Sequence, residues 1–213
     1  MIADSGQWKA RLQQELASLR KSLSGRDIDD SHYESVEWFV FTSAFILRKL
    51  CQSKRLSYEV ERRVVLVNTY PRRKRAHRLK ADEHEIMKRF SFRKGKRRSL
   101  SLEALCNQLI HSFDFLVSCE ERGHARCFLF NSDRSNRHAL FECRLSDYVR
   151  LIRYVARDRW AYAVRRDPRN PDVEYDLRMR RAWSQKRMNE YFAQFGLPPM
   201  SGIGRRRGGR RLS

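Results

Sequence analysis

Two side chains four residues apart, Asn107 and His111, are where this sequence could do chemistry. An imidazole takes up and releases protons in the neutral range, and a carboxamide offers two donors and one acceptor. Both lie in a stretch that reads as an amphipathic helix. Ser101 suits an N-cap and Glu103 the first turn, while apolar residues recur at Leu102, Leu105, Cys106, Leu109, Ile110 and Phe113. At about 100° per residue those positions share one arc, and Asn107 and His111 fall together on the opposite side. A pair placed so is also the ordinary material of a wetted polar face, which spacing alone favours.

Cys106-Asn107-Gln108-Leu109-Ile110-His111 resembles the Arg-Asn-x-x-x-His form of the Arg-x4-6-His motif of the HEPN superfamily, small helical domains found in RNases, toxins and nucleotide-binding proteins. The match covers Asn107 and His111, and Cys106 stands where the motif has Arg. The Asn-Gln-Leu-Ile-His-Ser core followed by a short meander is also similar to bacterial proteins without an assigned function. The HEPN resemblance spans roughly the first half of the chain. It implies a helical bundle, metal-free RNA cleavage and, in many members, a site shared across a homodimer. On that basis His111 would act as general acid or base and Asn107 would orient the phosphate. A thiol offers neither the permanent charge nor the fork of donors of a guanidinium, so the arginine's role does not pass to Cys106. Arg48, closing an apolar helix, is the candidate to replace it. The simpler account of Arg48 is that a cation in a last helical turn complements the macrodipole.

The elements that must position these residues are mostly helical. Gln7 to Ser24 carries Trp8, Leu12, Leu16, Leu19 and Leu23 on one stripe. His32 to Ser53 is apolar nearly all round between Val36 and Leu47, as a helix in the middle of a bundle would be. Val64 to Val67 is too short for periodicity to decide between a strand and a helix end. Phe115 to Glu120, Ala125 to Asn131 and Arg137 to Leu145 read as three strands of an antiparallel meander. Arg134 and His138 fall in a turn there and are discounted as a motif. A helix is expected from about Tyr148 to Val164, and Asn170-Pro171-Asp172 reads as the start of a last helix reaching Phe195. Its aromatic residues must bury against the domain or against another copy.

The expected fold is therefore α+β: a mostly helical, HEPN-like bundle with a three-stranded antiparallel meander inserted before the C-terminal helices. Its parts are a core over residues 1–165 with a basic loop at 71–98 and the meander at 115–145, a C-terminal helix within 166–200, and a disordered Arg/Gly tail at 201–213.

Charge identifies a partner class. Lys and Arg number 46 against 25 Asp and Glu, a net +21 with a pI near 10.5. That balance calls for an acidic polymer, nucleic acid ahead of a membrane surface, and RNA ahead of DNA on the strength of the resemblance. Pro71 to Arg98 holds thirteen Lys or Arg against three acids. Its candidate phosphate contacts are Arg72, Arg73, Lys74, Arg75, Arg93, Lys94, Lys96, Arg97 and Arg98, with Phe90 and Phe92 among them either for base stacking or returning to the core. Arg205, Arg206, Arg207, Arg210 and Arg211 add a second cationic segment near the C-terminus.

The longest apolar run, Trp38 to Leu47, falls short of the roughly 18 residues needed to span a bilayer, so no membrane is expected. Five scattered cysteines without a Cys-x-x-Cys pair argue for a reducing, cytoplasmic setting and against a zinc site, and no metal or cofactor is expected. Phosphate-loop, dinucleotide, zinc-protease and serine-hydrolase motifs are missing. Two classes of function follow, with binding ahead. One is a nucleic-acid-binding accessory protein; the other is a metal-independent endoribonuclease using His111, Asn107 and Arg48. A toxin or defence-system partner is the third reading.

Overall fold

The structure is a computed structural model, and it describes residues 5–24, 30–73, 86, 88–120, 124–159, 161–179 and 183–199. The chain divides into two compact units, Met1–Asp158 and Arg159–Ser213.

The first unit is built on a five-stranded antiparallel sheet. Helices α1 (Ser5–Leu23), α2 (Asp30–Gln52) and α3 (Tyr58–Glu61) lead into β1 (Val64–Pro71), and β2 (Lys96–Ser101) runs directly into α4 (Leu102–Ile110). Strands β3 (Ser112–Cys119), β4 (Ala125–Ser132) and β5 (Ala139–Arg144) follow, then α5 (Leu145–Ala156). The strand order is β2-β1-β5-β4-β3.

Alternation along the strands separates two cores. Val65, Val67, Phe128, Phe130, Phe141 and Cys143 point to one face, where α2, α4 and α5 cover them and α1 packs on α2 and α5. Leu116, Leu129, Leu140 and Tyr70 point to the other, where Ile86, Phe90 and Phe92 close a smaller cluster. Arg89 reaches this second face and meets Asp114 at 2.7 Å, both almost wholly buried. Asn131 donates to the same carboxylate at 2.9 Å. On the helical side Asp158, after α5, accepts from Lys9 Nζ at 3.4 Å and from the Ser57 N–H and hydroxyl at 2.9 and 2.8 Å. This buried cluster ties α1 and the start of α3 to the end of α5.

The α+β class stands, but a mostly helical bundle does not, because the expected three-stranded meander is only part of a larger sheet. Val64 to Val67 alternates in burial and is a strand. Lys96 to Ser101 belongs to no loop: it pairs with β1 residue for residue, from Lys96 with Thr69 to Ser101 with Val64. A strand this cationic is tolerated because it is the sheet's edge, where its charges stay in water and discourage further pairing. Phe90 is fully buried and Phe92 packs on Tyr70 with ring centroids 4.5 Å apart, so the core takes both rings.

In the second unit the long C-terminal helix expected from Asn170 is absent. β6 (Ala161–Asp167) and β7 (Asn170–Met179) form an antiparallel hairpin, and a shorter helix, α6, spans Gln185–Ala193. The backbone N–H of Arg169 donates to the Asp167 carboxylate at 2.8 Å, and that of Asp172 to the Asn170 side chain at 3.3 Å. These side chains bond backbone in a turn, the competing use of residues that also cap helices. The period-two spacing of Val173, Tyr175 and Leu177 was the better signal. Leu177, Met188, Phe192 and Leu197 form this unit's own small core.

Candidate functional site

The helix carrying Asn107 and His111 forms as its pattern dictates. The Ser101 hydroxyl accepts from the Ala104 N–H at 3.2 Å, and Leu102, Leu105, Cys106 and Leu109 are buried beneath α4. The helix stops at His111, which takes the C-cap position and donates its N–H to the Asn107 carbonyl at 3.3 Å. Its ring is exposed, and Asn107 is half-buried one turn back.

Arg48, ten residues beyond Trp38 on α2, ends beside this pair. Its Nη1 lies 3.4 Å from His111 Nε2. A guanidinium only donates, so a hydrogen bond here requires Nε2 to be the accepting nitrogen of a neutral ring. The Asn107 Oδ1 is buried and makes no hydrogen bond among the described residues. Cys106, in the motif position, points the other way. Burial foremost, with Cys51 adding to it, pushes its thiol well above the usual range, although Arg48 pulls in the opposite sense. It is a protonated core residue.

The third wall was not anticipated. Asp133 and Arg134, in the turn between β4 and β5, line a cleft of about 530 Å³ together with Arg48, Ala104, Asn107, Gln108, His111 and Ser132. Gln108 holds this turn in place, its Oε1 accepting from the Ser135 hydroxyl at 2.6 Å and from the Ser132 N–H at 3.2 Å. The Asp133 N–H donates to the His111 carbonyl at 3.3 Å. The signal for this wall was in the meander itself: when β3 and β4 pair antiparallel, the end of β4 returns to the start of β3, hence to His111.

Register also places the basic segment. Pro71 pairs with Ala139, Thr69 with Lys96 and Ser112 with Ser132, so the end of β1 and the starts of β2 and β3 lie at one end of the sheet. That end, about 20 Å across five strands, carries Arg72, Arg73, Arg93, Lys94, Lys96, Arg134 and His111. Arg97 and Arg98 follow along the edge, and every one of these except Arg72 is exposed. Arg72 and Arg73 are partly engaged, donating to the Asn136 carbonyl at 2.9 Å and the Phe90 carbonyl at 3.2 Å. Lys74, Arg75, Arg205, Arg206, Arg207, Arg210 and Arg211 lie outside the described residues.

Among the described residues no group of three His, Cys, Asp or Glu could hold a metal ion, and no helix is long and apolar enough to cross a membrane. Compared with family models, curated proteins and solved structures, the chain matches none.

Proposed function

We propose that the chain binds RNA, with the strand's phosphates running over the cationic end of the sheet and into the cleft between Arg48, His111 and Arg134. The observation that carries this reading is the convergence of separate segments on one surface: α2, the end of α4, the β4–β5 turn and the start of β2 bring cations and hydrogen-bonding groups to the same end. Phosphate contacts of this kind give affinity that falls steeply with salt and depends little on sequence. The reading places the protein in the cytoplasm, on the strength of its odd, scattered cysteines.

The 3.4 Å approach of Arg48 to His111 favours a second, catalytic reading of the same cleft. There the ribose 2′-hydroxyl attacks the adjacent phosphorus, a new 2′-O–P bond forms, and the bond to the 5′-oxygen breaks. His111 Nε2 takes the 2′ proton once Arg48 turns to the phosphate, and water protonates the departing oxygen. The products are a 2′,3′-cyclic phosphate and a 5′-hydroxyl, with no metal required.

Incubating labelled RNA with the protein in EDTA, beside His111→Ala, separates the two readings. Cleavage that falls by about 10²- to 10⁴-fold in the variant supports the enzyme. Binding by the wild type without cleavage by either protein supports the binding role. Neutralising Arg93, Lys94 and Lys96 together should lower the slope of log affinity against log salt by about 2 for a single strand, and an unchanged slope would remove the sheet end from the interface.

A further inference from the structure

Helix α2 carries an aromatic row that the described residues leave largely uncovered. Trp38 is 63% exposed and Phe45 47%, although both sit on a helix whose opposite side is buried throughout. Phe41 lies between them, half-buried against Phe115 with centroids 4.8 Å apart. Trp8 of α1 adds a fourth ring, 6.4 Å from Phe45. Positions 38, 41, 45 and 48 fall within about 80° of arc, so the row ends at Arg48. From Trp38 to Arg48 the helix advances about 15 Å.

From this juxtaposition we infer that the outer face of α2 is a base-stacking platform for single-stranded RNA, continuous with the phosphate-binding cleft. The inference rests on the reading of that cleft as an RNA site and adds to it the class of RNA and the place where the bases lie. Single strands can splay bases onto flat rings, whereas a duplex keeps them stacked and paired out of reach.

Charge argues for this occupant over a second copy of the chain. Lys49 Nζ lies 5.6 Å from the Phe45 ring centroid, and Arg48 follows at the cleft, so the row's C-terminal end attracts phosphate. A second copy carrying +21 would bring like charge to like. The exposed Glu34 and Glu37 flank Trp38 and repel phosphate at the far end. There only a base approaches, offering its N–H groups to the carboxylates. The strand is thus polarised along α2, with phosphates toward Arg48 and a base at Trp38.

The probe is a 12-nucleotide 2′-O-methyl RNA, which cannot be cleaved through its 2′ position, with binding followed by fluorescence anisotropy. Trp38→Leu with Phe45→Leu should weaken single-strand binding by about tenfold to a hundredfold, while Trp38→Phe retains most of it. Binding of the matching duplex, and of an abasic oligomer with the same phosphates, should not change. Loss through Arg48→Gln together with no loss through the double Leu variant would overturn the platform and leave the cleft standing. No loss through either, with wild-type binding intact, would overturn both. If the wild type is dimeric in size-exclusion chromatography at high salt and the double Leu variant monomeric, the face belongs to a second copy and the proposal fails.

Discussion

Two cationic hollows on the first unit differ in a way that separates charge from a site. One is the cleft around His111. The other, about 620 Å³, lies between α1 and α5 and is lined by Arg20, Lys21, Arg153 and Arg157 with Gln13, Ser24 and apolar residues. The groove is at least as roomy and richer in arginine and lysine. Its cations, however, rise from two packed helices into water, and its lining contains no imidazole. In the cleft, groups from α2, α4 and the β4–β5 turn converge, and Gln108 fixes the turn that brings Arg134. Charge alone would gather a polyanion in either place; only convergent, hydrogen-bonded groups can hold one phosphate in one position.

The strongest way to separate the regions is to loosen the buried cluster of Lys9, Asp158 and Ser57, which joins the same two helices as the groove. Asp158→Ala leaves the buried Lys9 amine with only the backbone carbonyl of position 158 and removes the acceptor of Ser57. It should cost about 3–5 kcal/mol in urea unfolding, with RNA binding at the cleft retained while the protein stays folded. Next, Arg48→Gln with Arg134→Gln should weaken RNA binding by roughly 10- to 100-fold, through lost charge-assisted hydrogen bonds, and the deficit should persist at high salt. Arg153→Gln with Arg157→Gln should cause only a few-fold loss that salt erases. Equal effects from the two double variants would end the distinction.

Gln108→Ala tests whether the turn must be held. Losing two hydrogen bonds should lower stability by about 1–2 kcal/mol and weaken RNA binding only in part. Gln108→Glu, which still accepts from Ser135, should recover stability but not binding, because its carboxylate lines the cleft and repels phosphate. The smallest effect concerns Cys106. Folded, the thiol keeps its proton; unfolded, it releases it above about pH 8.5, so stability falls as pH rises through that range. Cys106→Val removes this slope. Its stability relative to wild type should improve by about 1–2 kcal/mol between pH 7 and pH 10, measured as urea midpoints.

Local pattern made the long helices and the meander legible. The stripe from Trp8 to Leu23, the all-round apolar run of α2 and the capped, two-faced α4 each encode their element in neighbours three or four apart. The hairpin of the second unit was hidden by ambiguity at Asn170, where one set of residues serves equally for a helix cap and for a turn. β2 was hidden differently. Lys96 to Leu100 has little intrinsic preference for a strand, and only a partner, β1, makes it one.

The same division holds at the site. By itself the sequence determined that Asn107 and His111 share a helix face, that Cys106 turns into the core, and that the chain carries a large excess of cations, because all three follow from composition or from contacts within one turn. Only the tertiary structure decided that Arg48 reaches His111 across 63 positions of chain, that Asp133 and Arg134 close the cleft, and that the basic segment starts at the same end of the sheet. Those juxtapositions depend on strand register and on how α2 packs against α4, and no periodicity within one element records which other element it will meet.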